Sequence, residues 1–428
     1  MALFSSGNPV YKRVMAVAAT RSLVLVATML SIATTHLPAA DPAWPQWRGP
    51  KRDGVAGNVT PPARWPAALT RHWSVPVGLG YATPLLVGDR LYVFARQEGQ
   101  EVLLAVDATD GRTVWRTGYP APVTLNTRSG SFRHGEGPKS TPTFADGRIF
   151  SMGMGGIVSA FDAATGSLLW QKTAPPVLPL YGTATSPLVD GDRVIVHRGG
   201  HDQGALVALD VRTGAERWRW DGDGPAYGSP VLATFDGVRQ VVGMSQQFIV
   251  GVEAASGQLL WKRPFLPPNT TSSQTPILLG RTVLVSGQSM GVTAFAPVRR
   301  GAQWDTETLW ENTEASMYMS NGVVVEGVLY GLSHKNSGQW FAIDATTGQT
   351  LWMTRGRDAG NAAVVSAGRM LMQLKDDGEL LVTPPSREGF APAHRYQVAD
   401  SATWAQPVLD GTRVFIKDES HLTLWLVE

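Results

Sequence analysis

The chain contains no cysteine among its 428 residues. This absence excludes disulfide bonds, thiolate metal sites, a cysteine nucleophile and a lipid-modified N-terminal cysteine. It fits an exported protein that gains its stability from a large repeated core rather than from cross-links. We therefore expect a protein that is not a lipoprotein.

Charge and helical patterning are also scarce. Charged residues make up 17% of the chain and the formal net charge is +2, which argues against nucleic acid as a main partner. After the N-terminus no stretch carries a sustained apolar stripe at helical spacing. The 46 glycines and 29 prolines are typical of many turns that join short strands. These features favour an all-β fold.

The N-terminus has the pattern of an export signal. Lys12 and Arg13 precede an apolar core over residues 22–33, which has the length of a signal-peptide core. We predict a signal peptide over residues 1–40 and a periplasmic or extracellular protein. The alternative is an uncleaved anchor, because residues 14–33 are just long enough to span a bilayer if the charge of Arg21 is tolerated there.

The rest of the chain is organised around a repeated hairpin, seen best from Ala160 to Trp170. Asp162 is suited to bond the turn amides, and Gly166 allows the positive φ of a tight turn. Because a lone hairpin is only marginally stable, it needs neighbours. Five good copies end at aromatic residues four positions after a glycine, namely Trp115, Trp170, Trp218, Trp261 and Trp352. Two degenerate copies end at Trp310 and Tyr396.

A second recurrent sequence motif opens each unit, and we call it the phrase. It consists of a polar residue followed by proline, directly before an apolar strand. Its copies are Thr83-Pro84, Thr141-Pro142, Ser186-Pro187, Ser229-Pro230, Thr275-Pro276 and Gln406-Pro407. Proline lacks a ladder donor and therefore belongs at the start of a strand. Each unit is then four antiparallel strands over about 40–50 residues, the period of a propeller blade.

The two ends of the chain complement each other. Residues 71–77 resemble an outer strand without a hairpin partner, whereas residues 404–410, 412–418 and 421–428 read as three strands without a fourth. We predict that the N-terminal strand completes the last blade and closes the ring.

The fold class that we predict is all-β, an eight-bladed propeller of four-stranded antiparallel blades over residues 71–428. Its outer strands carry the docking aromatics Trp73, Trp115, Trp170, Trp218, Trp261, Trp310, Trp352 and Tyr396. We expect these rings to fill the gaps between blades and to bond neighbouring carbonyls. Seven blades is the alternative, if the Tyr396 unit is not a blade. Residues 41–70 are rich in Pro and Trp, and we expect a strap packed on a surface.

The Ala-x-Asp-x-x-Thr-Gly-x-x-x-Trp repeat resembles the tryptophan-docking motif of the PQQ-like (pyrrolo-quinoline quinone) β-propeller superfamily. The resemblance runs from Trp73 to the C-terminus and is specific for the fold rather than for function. The quinoprotein alcohol dehydrogenase branch oxidises alcohols with PQQ and Ca²⁺ in the central channel. The BamB-like branch is non-catalytic and scaffolds the outer-membrane β-barrel assembly machinery, typically as lipoproteins.

The residues favour the non-catalytic branch. The dehydrogenase branch caps its PQQ with a disulfide between adjacent cysteines, which this sequence lacks. The carboxylates of Asp221 and Asp223 have ligand-like spacing, but they follow Trp218, where a turn between blades is expected. We expect no catalytic residue, no metal and no cofactor, with PQQ and Ca²⁺ as the alternative.

The resulting expectation is an exported monomeric propeller that binds or scaffolds proteins at the cell envelope. The alternatives are a PQQ-dependent alcohol or sugar dehydrogenase and a carbohydrate-binding envelope propeller. A quinone site needs clustered Asp, Glu or Asn around a cation, whereas a scaffold needs exposed apolar or charged patches at the rim. A sugar binder should show rim aromatics with polar neighbours.

The candidate ligand site is the longest polar insert, between the first two blades. It carries Arg128, Arg133, His134 and Lys139. Such a cationic cluster at a channel mouth is suited to a carboxylate, a sugar acid or an acidic loop of a protein partner. A solvated loop is the alternative.

His197 and His201 are spaced as metal ligands on a helix would be, but they lie between two strands, which indicates a hairpin loop.

Overall fold

The computed structural model describes residues 43–57, 62, 64–123, 134–268 and 272–428. The expected signal peptide over residues 1–40 lies outside these ranges. The described chain belongs to one unit that runs from residue 40 to residue 428. No helix in it is long and apolar enough to cross a membrane.

Short strands make up the described chain, with a 3₁₀ turn at Lys335–Ser337. In chain order the strands are β1 (Val55–Ala56), β2 (Thr70–Pro76), β3 (Leu85–Val87), β4 (Arg90–Gln97), β5 (Gln100–Asp107), β6 (Thr113–Pro120), β7 (Thr143–Ala145), β8 (Arg148–Met152), β9 (Val158–Asp162), β10 (Leu168–Lys172), β11 (Leu188–Asp190), β12 (Arg193–Gly199), β13 (Gly204–Asp210), β14 (Glu216–Trp220), β15 (Val231–Phe235), β16 (Val238–Met244), β17 (Phe248–Glu253), β18 (Leu259–Pro264), β19 (Ile277–Leu279), β20 (Thr282–Gly287), β21 (Gly291–Arg300), β22 (Gln303–Asn312), β23 (Val323–Val325), β24 (Val328–Ser333), β25 (Gln339–Asp344), β26 (Thr350–Met353), β27 (Ala362–Ala367), β28 (Met370–Lys375), β29 (Glu379–Thr383), β30 (His394–Gln397), β31 (Val408–Asp410), β32 (Arg413–Lys417) and β33 (His421–Leu426).

Within the described residues these strands form eight sheets, which are the blades of a propeller. Blade 1 is β3–β6, and blades 2 to 7 follow in groups of four up to β27–β30. Blade 8 consists of β31–β33 and β2. The expected all-β, eight-bladed propeller is confirmed. The seven-blade alternative is wrong, because β30 with Tyr396 is the outer strand of blade 7.

The N-terminal strand closes the ring, as the unpaired ends of the sequence indicate. β2 pairs antiparallel with β33, from Thr70 opposite Leu426 to Pro76 opposite His421. The ammonium of Lys417 lies within 3.2 Å of four backbone carbonyl oxygens, two of which belong to the segment that follows β2. The first strand of blade 8 is shorter than expected, since it begins at Val408 rather than at residue 404.

The repeated Asp-x-x-Thr-Gly turn is held by its own hydrogen bonds and also receives the tryptophan ring of the preceding blade. The carboxylate of Asp162 accepts the backbone N–H groups of Ala164 and Thr165 at 3.1 and 2.8 Å, which fixes the turn. Gly166 has φ +75°, and the ring of Trp115 from the preceding blade lies against it, so that a Cβ would stand 2.5 Å from Cε3. The indole N–H of Trp115 donates to the carbonyl of Ala163 at 3.2 Å.

The same contact recurs around the ring with small variations. Indole N–H groups donate to carbonyls of the following unit in the pairs Trp170–Val211, Trp218–Ala254, Trp310–Ala345 and Trp352–Ser386. Trp261 instead donates to the side chain of Gln240 within its own blade, at 2.7 Å. The Tyr396 hydroxyl donates to the carbonyl of Pro66 at 2.7 Å. The ring of Trp73 packs against Gly111 of blade 1.

The polar residue of the proline phrase links neighbouring blades near the axis. In each link the phrase residue of one blade donates its backbone N–H to the side-chain oxygen of the residue at the same position in the next blade. In blade 6 this position is held by Asn321, which is followed by glycine instead of proline, and we count it as the phrase residue of that blade. The links are Gln406 to Thr83 (3.1 Å), Thr83 to Thr141 (3.1 Å), Thr141 to Ser186 (3.0 Å), Ser186 to Ser229 (2.9 Å), Ser229 to Thr275 (3.2 Å) and Thr275 to Asn321 (2.7 Å). The phrase residues therefore link blade 8 and blades 1 to 6 to one another at the start of their inner strands.

The phrase also defines two faces of the propeller. Because strands alternate in direction, connections between blades lie at the end where inner strands start, and the Asp-x-x-Thr-Gly turns lie at the opposite end. We call the first end the phrase face. The segments that contain Leu79, Leu180 and Met319 are connections between blades and belong to it.

Replacement of Gly166 by alanine tests the docking of the preceding tryptophan. Gly147, in the same blade, is the matched control, because its φ is +72° and no atom lies within 4 Å of an added Cβ. The control should lose about 1–2 kcal/mol from positive φ alone. Gly166→Ala should lose about 1–3 kcal/mol more, because the new methyl group meets the Trp115 ring. Urea unfolding of both variants measures the difference, and equal losses would contradict the docking role.

Candidate functional site

The segment before the propeller lies inside the ring, not on a surface. Trp44 and Arg48 are fully buried. The backbone of Trp44 exchanges hydrogen bonds with Leu86 of blade 1, both at 3.0 Å. β1 pairs in parallel with β27 of blade 7. We call residues 44–56 the axial strap. It runs along the innermost strands, whose edges face the axis and offer unpaired backbone groups.

Two arginines of the strap bond to carbonyl oxygens of the inner edges. Arg52 donates to the carbonyls of Pro230, at 2.9 Å, and Pro187. Arg48 donates to the carbonyl of Gly322 at 2.6 Å. Burial lowers the pKa of Arg52 to about 9 and that of Arg48 to about 10. Both pKa values remain above neutral pH, so the axis carries two guanidinium charges.

A cavity of about 310 Å³ opens on the phrase face above the strap. Trp47 of the strap lines it, and its indole N–H donates to the hydroxyl of Thr275 at 2.9 Å. Ser186, Ser229 and Asn321, which belong to the ring of linked phrase residues, line it as well. We call this cavity the axial cup.

Most residues in the wall of the cup lie at a constant sequence distance from the phrase residue of their blade. The residue two positions before the phrase residue lines the cup in seven blades of the described chain. These residues are Tyr81, Lys139, Ala184, Tyr227, Ser273, Met319 and Trp404. Tyr181 and Tyr318 complete an aromatic wall. None of these tyrosines was predicted from the sequence. Tyr81 and Tyr227 share the fixed distance of two positions from the phrase residue, a signal that gains meaning once the phrase is placed at the axis, whereas Tyr181 and Tyr318 do not.

A hydrogen-bond network orients one side of the wall. His201 Nδ1 lies 2.9 Å from the carbonyl of Pro225, to which it donates as N–H. Nε2 then accepts the backbone N–H of Leu180 at 3.3 Å and faces the Tyr227 hydroxyl at 3.2 Å. The Tyr227 oxygen also accepts the backbone N–H of Tyr181 at 3.1 Å. His201 is thus a positioning residue for Tyr227, and not a partner of His197.

Two of the four candidate rim residues fall in the cup. His134 and Lys139 line it, while Arg128 and Arg133 lie outside the described residues. The His134 ring meets Trp404 edge-on, with 4.5 Å between centroids. The Lys139 ammonium donates to the carbonyl of Tyr181 at 3.1 Å, and burial lowers its pKa to about 8.

The remaining polar candidates have structural partners. His197 is buried against the carbonyl of Asp223 at 3.0 Å, and burial lowers its pKa to about 4, so the ring is neutral. The Asp223 carboxylate accepts the Ser245 hydroxyl at 2.6 Å and the backbone N–H of Gln247 at 2.8 Å. In the described part of the chain no three His, Cys, Asp or Glu side chains are grouped so as to hold a metal ion.

Exposed apolar side chains lie on the phrase face, on connections between blades, and we call them the apolar rim. Leu79, Leu180, Leu266 and Met319 lie on connections between blades and are exposed by 45%, 42%, 57% and 38%. Leu79 and Leu180 each lie within two residues of a cup tyrosine, and Met319 lines the cup itself. Three of the four residues of the apolar rim are therefore adjacent in sequence to the wall of the cup or part of it.

The family described as outer membrane protein assembly factor BamB matches residues 98–354. The chain is 27% identical over 345 residues to that factor from Burkholderia pseudomallei, covering 72% of this chain and 85% of the relative. It is 29% identical over 148 residues to the dehydrogenase subunit of a quinone alcohol dehydrogenase from Komagataeibacter europaeus, but this covers only 32% of this chain and 19% of the relative.

Solved structures of both kinds share the fold. The crystal structure of BamB from Moraxella catarrhalis superposes with a TM-score of 0.59 at 16% identity, over 84% of this chain and all of that one. The quinohemoprotein alcohol dehydrogenase from Comamonas testosteroni gives a TM-score of 0.66 at 15% identity, over 90% of this chain and 80% of that one. At these identities the structures establish the propeller fold and do not choose between functions.

Arg52→Met tests whether the strap is held by its arginines. Loss of the guanidinium leaves the buried carbonyl of Pro230 in blade 4 unpaired and removes one donor from the carbonyl of Pro187 in blade 3, which still accepts the Thr143 hydroxyl. We expect a loss of about 2–3 kcal/mol in unfolding free energy. The strap should also become sensitive to limited proteolysis. Lys51→Met is the matched control, since Lys51 is exposed next to it. An Arg52→Met protein as stable and as resistant as the control would contradict this role.

Proposed function

The chain belongs to the family described as outer membrane protein assembly factor BamB, and we propose that it is a non-catalytic propeller that binds protein partners at the cell envelope. The match with the Burkholderia pseudomallei relative over most of both chains carries this proposal. In this proposal the protein is exported, works as a monomer and contributes to outer membrane protein assembly, as the relative's name states for that protein.

The apolar rim of the phrase face is the partner surface in this proposal. Exposed aliphatic side chains at the centre of a face are what a protein partner buries on docking. Other exposed aliphatic residues, such as Leu168 and Leu309, lie on the outer strands β10 and β22 instead. They supply comparison positions of equal exposure away from the rim.

The charges on the axis support the absence of a quinone cofactor. Arg48 and Arg52 place two guanidinium groups among the inner strands. A calcium ion at the channel centre would be repelled by these groups unless several carboxylates surrounded it. The strap thus supplies a physical reason, beyond the missing adjacent cysteines, to prefer a binding protein to a dehydrogenase.

Site-specific photo-crosslinking tests the partner surface. A photoreactive phenylalanine replaces Leu180 or Leu266 on the rim, and Leu168 or Leu309 on outer strands, with exposures of 42%, 57%, 45% and 52%. We expect a shared crosslinked protein from both rim positions in envelope preparations, identified by mass spectrometry as an outer membrane assembly component. The proposal fails if all four positions give the same products or if the rim positions give none.

Calorimetric titration with PQQ tests the catalytic alternative. Because the axis is positively charged, we expect no binding that depends on Ca²⁺, whether the buffer contains Ca²⁺ or EDTA. Tight Ca²⁺-dependent binding would instead favour the dehydrogenase and would call for dye-linked alcohol oxidation assays.

A further inference from the structure

The axial cup has the composition of a small-ligand site, and the partner-binding role does not account for it. Its volume of about 310 Å³ lies at the lower end of the range of about 300–1,000 Å³ for ligand pockets. This size fits one or two rings and excludes a long polymer. Because the cup is concave and narrow, the docking of a broad protein surface would leave it unfilled.

The wall offers flat aromatic surfaces to a ligand. Tyr181 and Tyr227 lie with 5.7 Å between ring centroids, and Tyr81 and Trp404 with 6.4 Å. The C–H face of a pyranose ring is a complementary surface for aromatic rings, since C–H groups carry slight positive charge and ring faces are negative.

Hydroxyl groups lie next to these aromatic surfaces. Ser186 and Ser229 each accept a backbone N–H of the preceding blade through the side-chain oxygen, at 3.0 and 2.9 Å. A hydroxyl that accepts in this way still has a proton to donate. Donors beside aromatic rings suit a ligand with several hydroxyl oxygens and would be unused by a fused aromatic hydrocarbon.

One cation in the wall specifies the charge of the ligand. Lys139 is half-buried, and its hydrogen bond at 3.1 Å is to the neutral carbonyl of Tyr181. Burial is the cause of its lowered pKa, and no carboxylate among the residues that the structure describes offsets it. A ligand carboxylate at this position would restore the charged form and gain charge-assisted hydrogen bonds.

We propose that the axial cup binds a monoanionic sugar of the hexuronic acid class. The pyranose face packs on the tyrosine and tryptophan rings, the ring hydroxyls meet Ser186 and Ser229, and the carboxylate meets Lys139. PQQ fits less well, because its three carboxylates exceed the one cation that this wall presents among the residues described by the structure. This inference concerns the cup rather than the exposed leucines of the apolar rim, although Met319 belongs to both, and it does not depend on a protein partner.

Calorimetric titration of the purified chain with D-glucuronate, and separately with D-glucose and benzoate, tests the site. We expect saturable binding of glucuronate. Glucose, which lacks the carboxylate, and benzoate, which lacks the pyranose ring and its hydroxyls, should each bind at least about tenfold more weakly. Equal binding of glucose would overturn the role of the carboxylate. Equal binding of benzoate, tighter binding of PQQ or no saturable glucuronate binding would overturn the assignment as a sugar site.

Two variants locate the binding. Lys139→Met should weaken glucuronate at least about tenfold and leave glucose unchanged. Lys262→Met is the control, since Lys262 is exposed on the outer strand β18, and it should bind as the unmodified chain does. If Lys139→Met folds poorly by thermal melting, Trp404→Phe, which keeps an aromatic ring but shrinks it, replaces it. Unchanged glucuronate binding in the folded variant would overturn the proposal.

Discussion

The inner edge of the ring is the constraint on which this molecule depends. Each blade presents its first strand to the axis, and an edge strand carries backbone groups that need partners when they are buried. The axial strap supplies those partners through β1, the backbone of Trp44 and the guanidinium groups of Arg48 and Arg52. Arginine suits this task, because its planar fork reaches carbonyls of several blades at once and keeps its charge.

Filling the axis in this way determines where space for a ligand remains. Because the strap occupies the axis, the cavity that the described residues form, the axial cup, lies on the phrase face. On the phrase face the strap contributes Trp47 to the axial cup, and connections between blades contribute the apolar rim. One face therefore presents two chemically different surfaces, one suited to a protein and one to a small polar ligand.

The fold could be predicted from the sequence because its signals are local. The turn chemistry of Asp162 and Gly166 and the proline at the start of inner strands repeat at a fixed period, and the unpaired strand at each end indicates how the ring closes. The strap has no such period. The carbonyl partners of Arg48 and Arg52 lie at Pro187, Pro230 and Gly322, far apart in sequence, and only the closed ring brings them together. The residues of the cup could be predicted only in part. Lys139 and His134 were candidates from the sequence, but the spacing of the tyrosines from the phrase gained meaning only once the phrase was placed at the axis.

Native-state hydrogen exchange of the strap amides tests whether the strap is an integral part of the closed ring. The amide of Trp44 donates to the carbonyl of Leu86 on an inner strand, and the amide of Gly54 donates to the carbonyl of Arg48 within the strap, both at 3.0 Å. The amides of Leu86 and Ser366 on inner strands donate to the strap carbonyls of Trp44 and Gly54 at 3.0 and 2.8 Å. If the strap is part of the closed axis, all four amides should exchange slowly and with similar protection. Fast exchange at Trp44 and Gly54, with slow exchange in the strands β4 and β5, would show that the ring stands without the strap and would contradict the account.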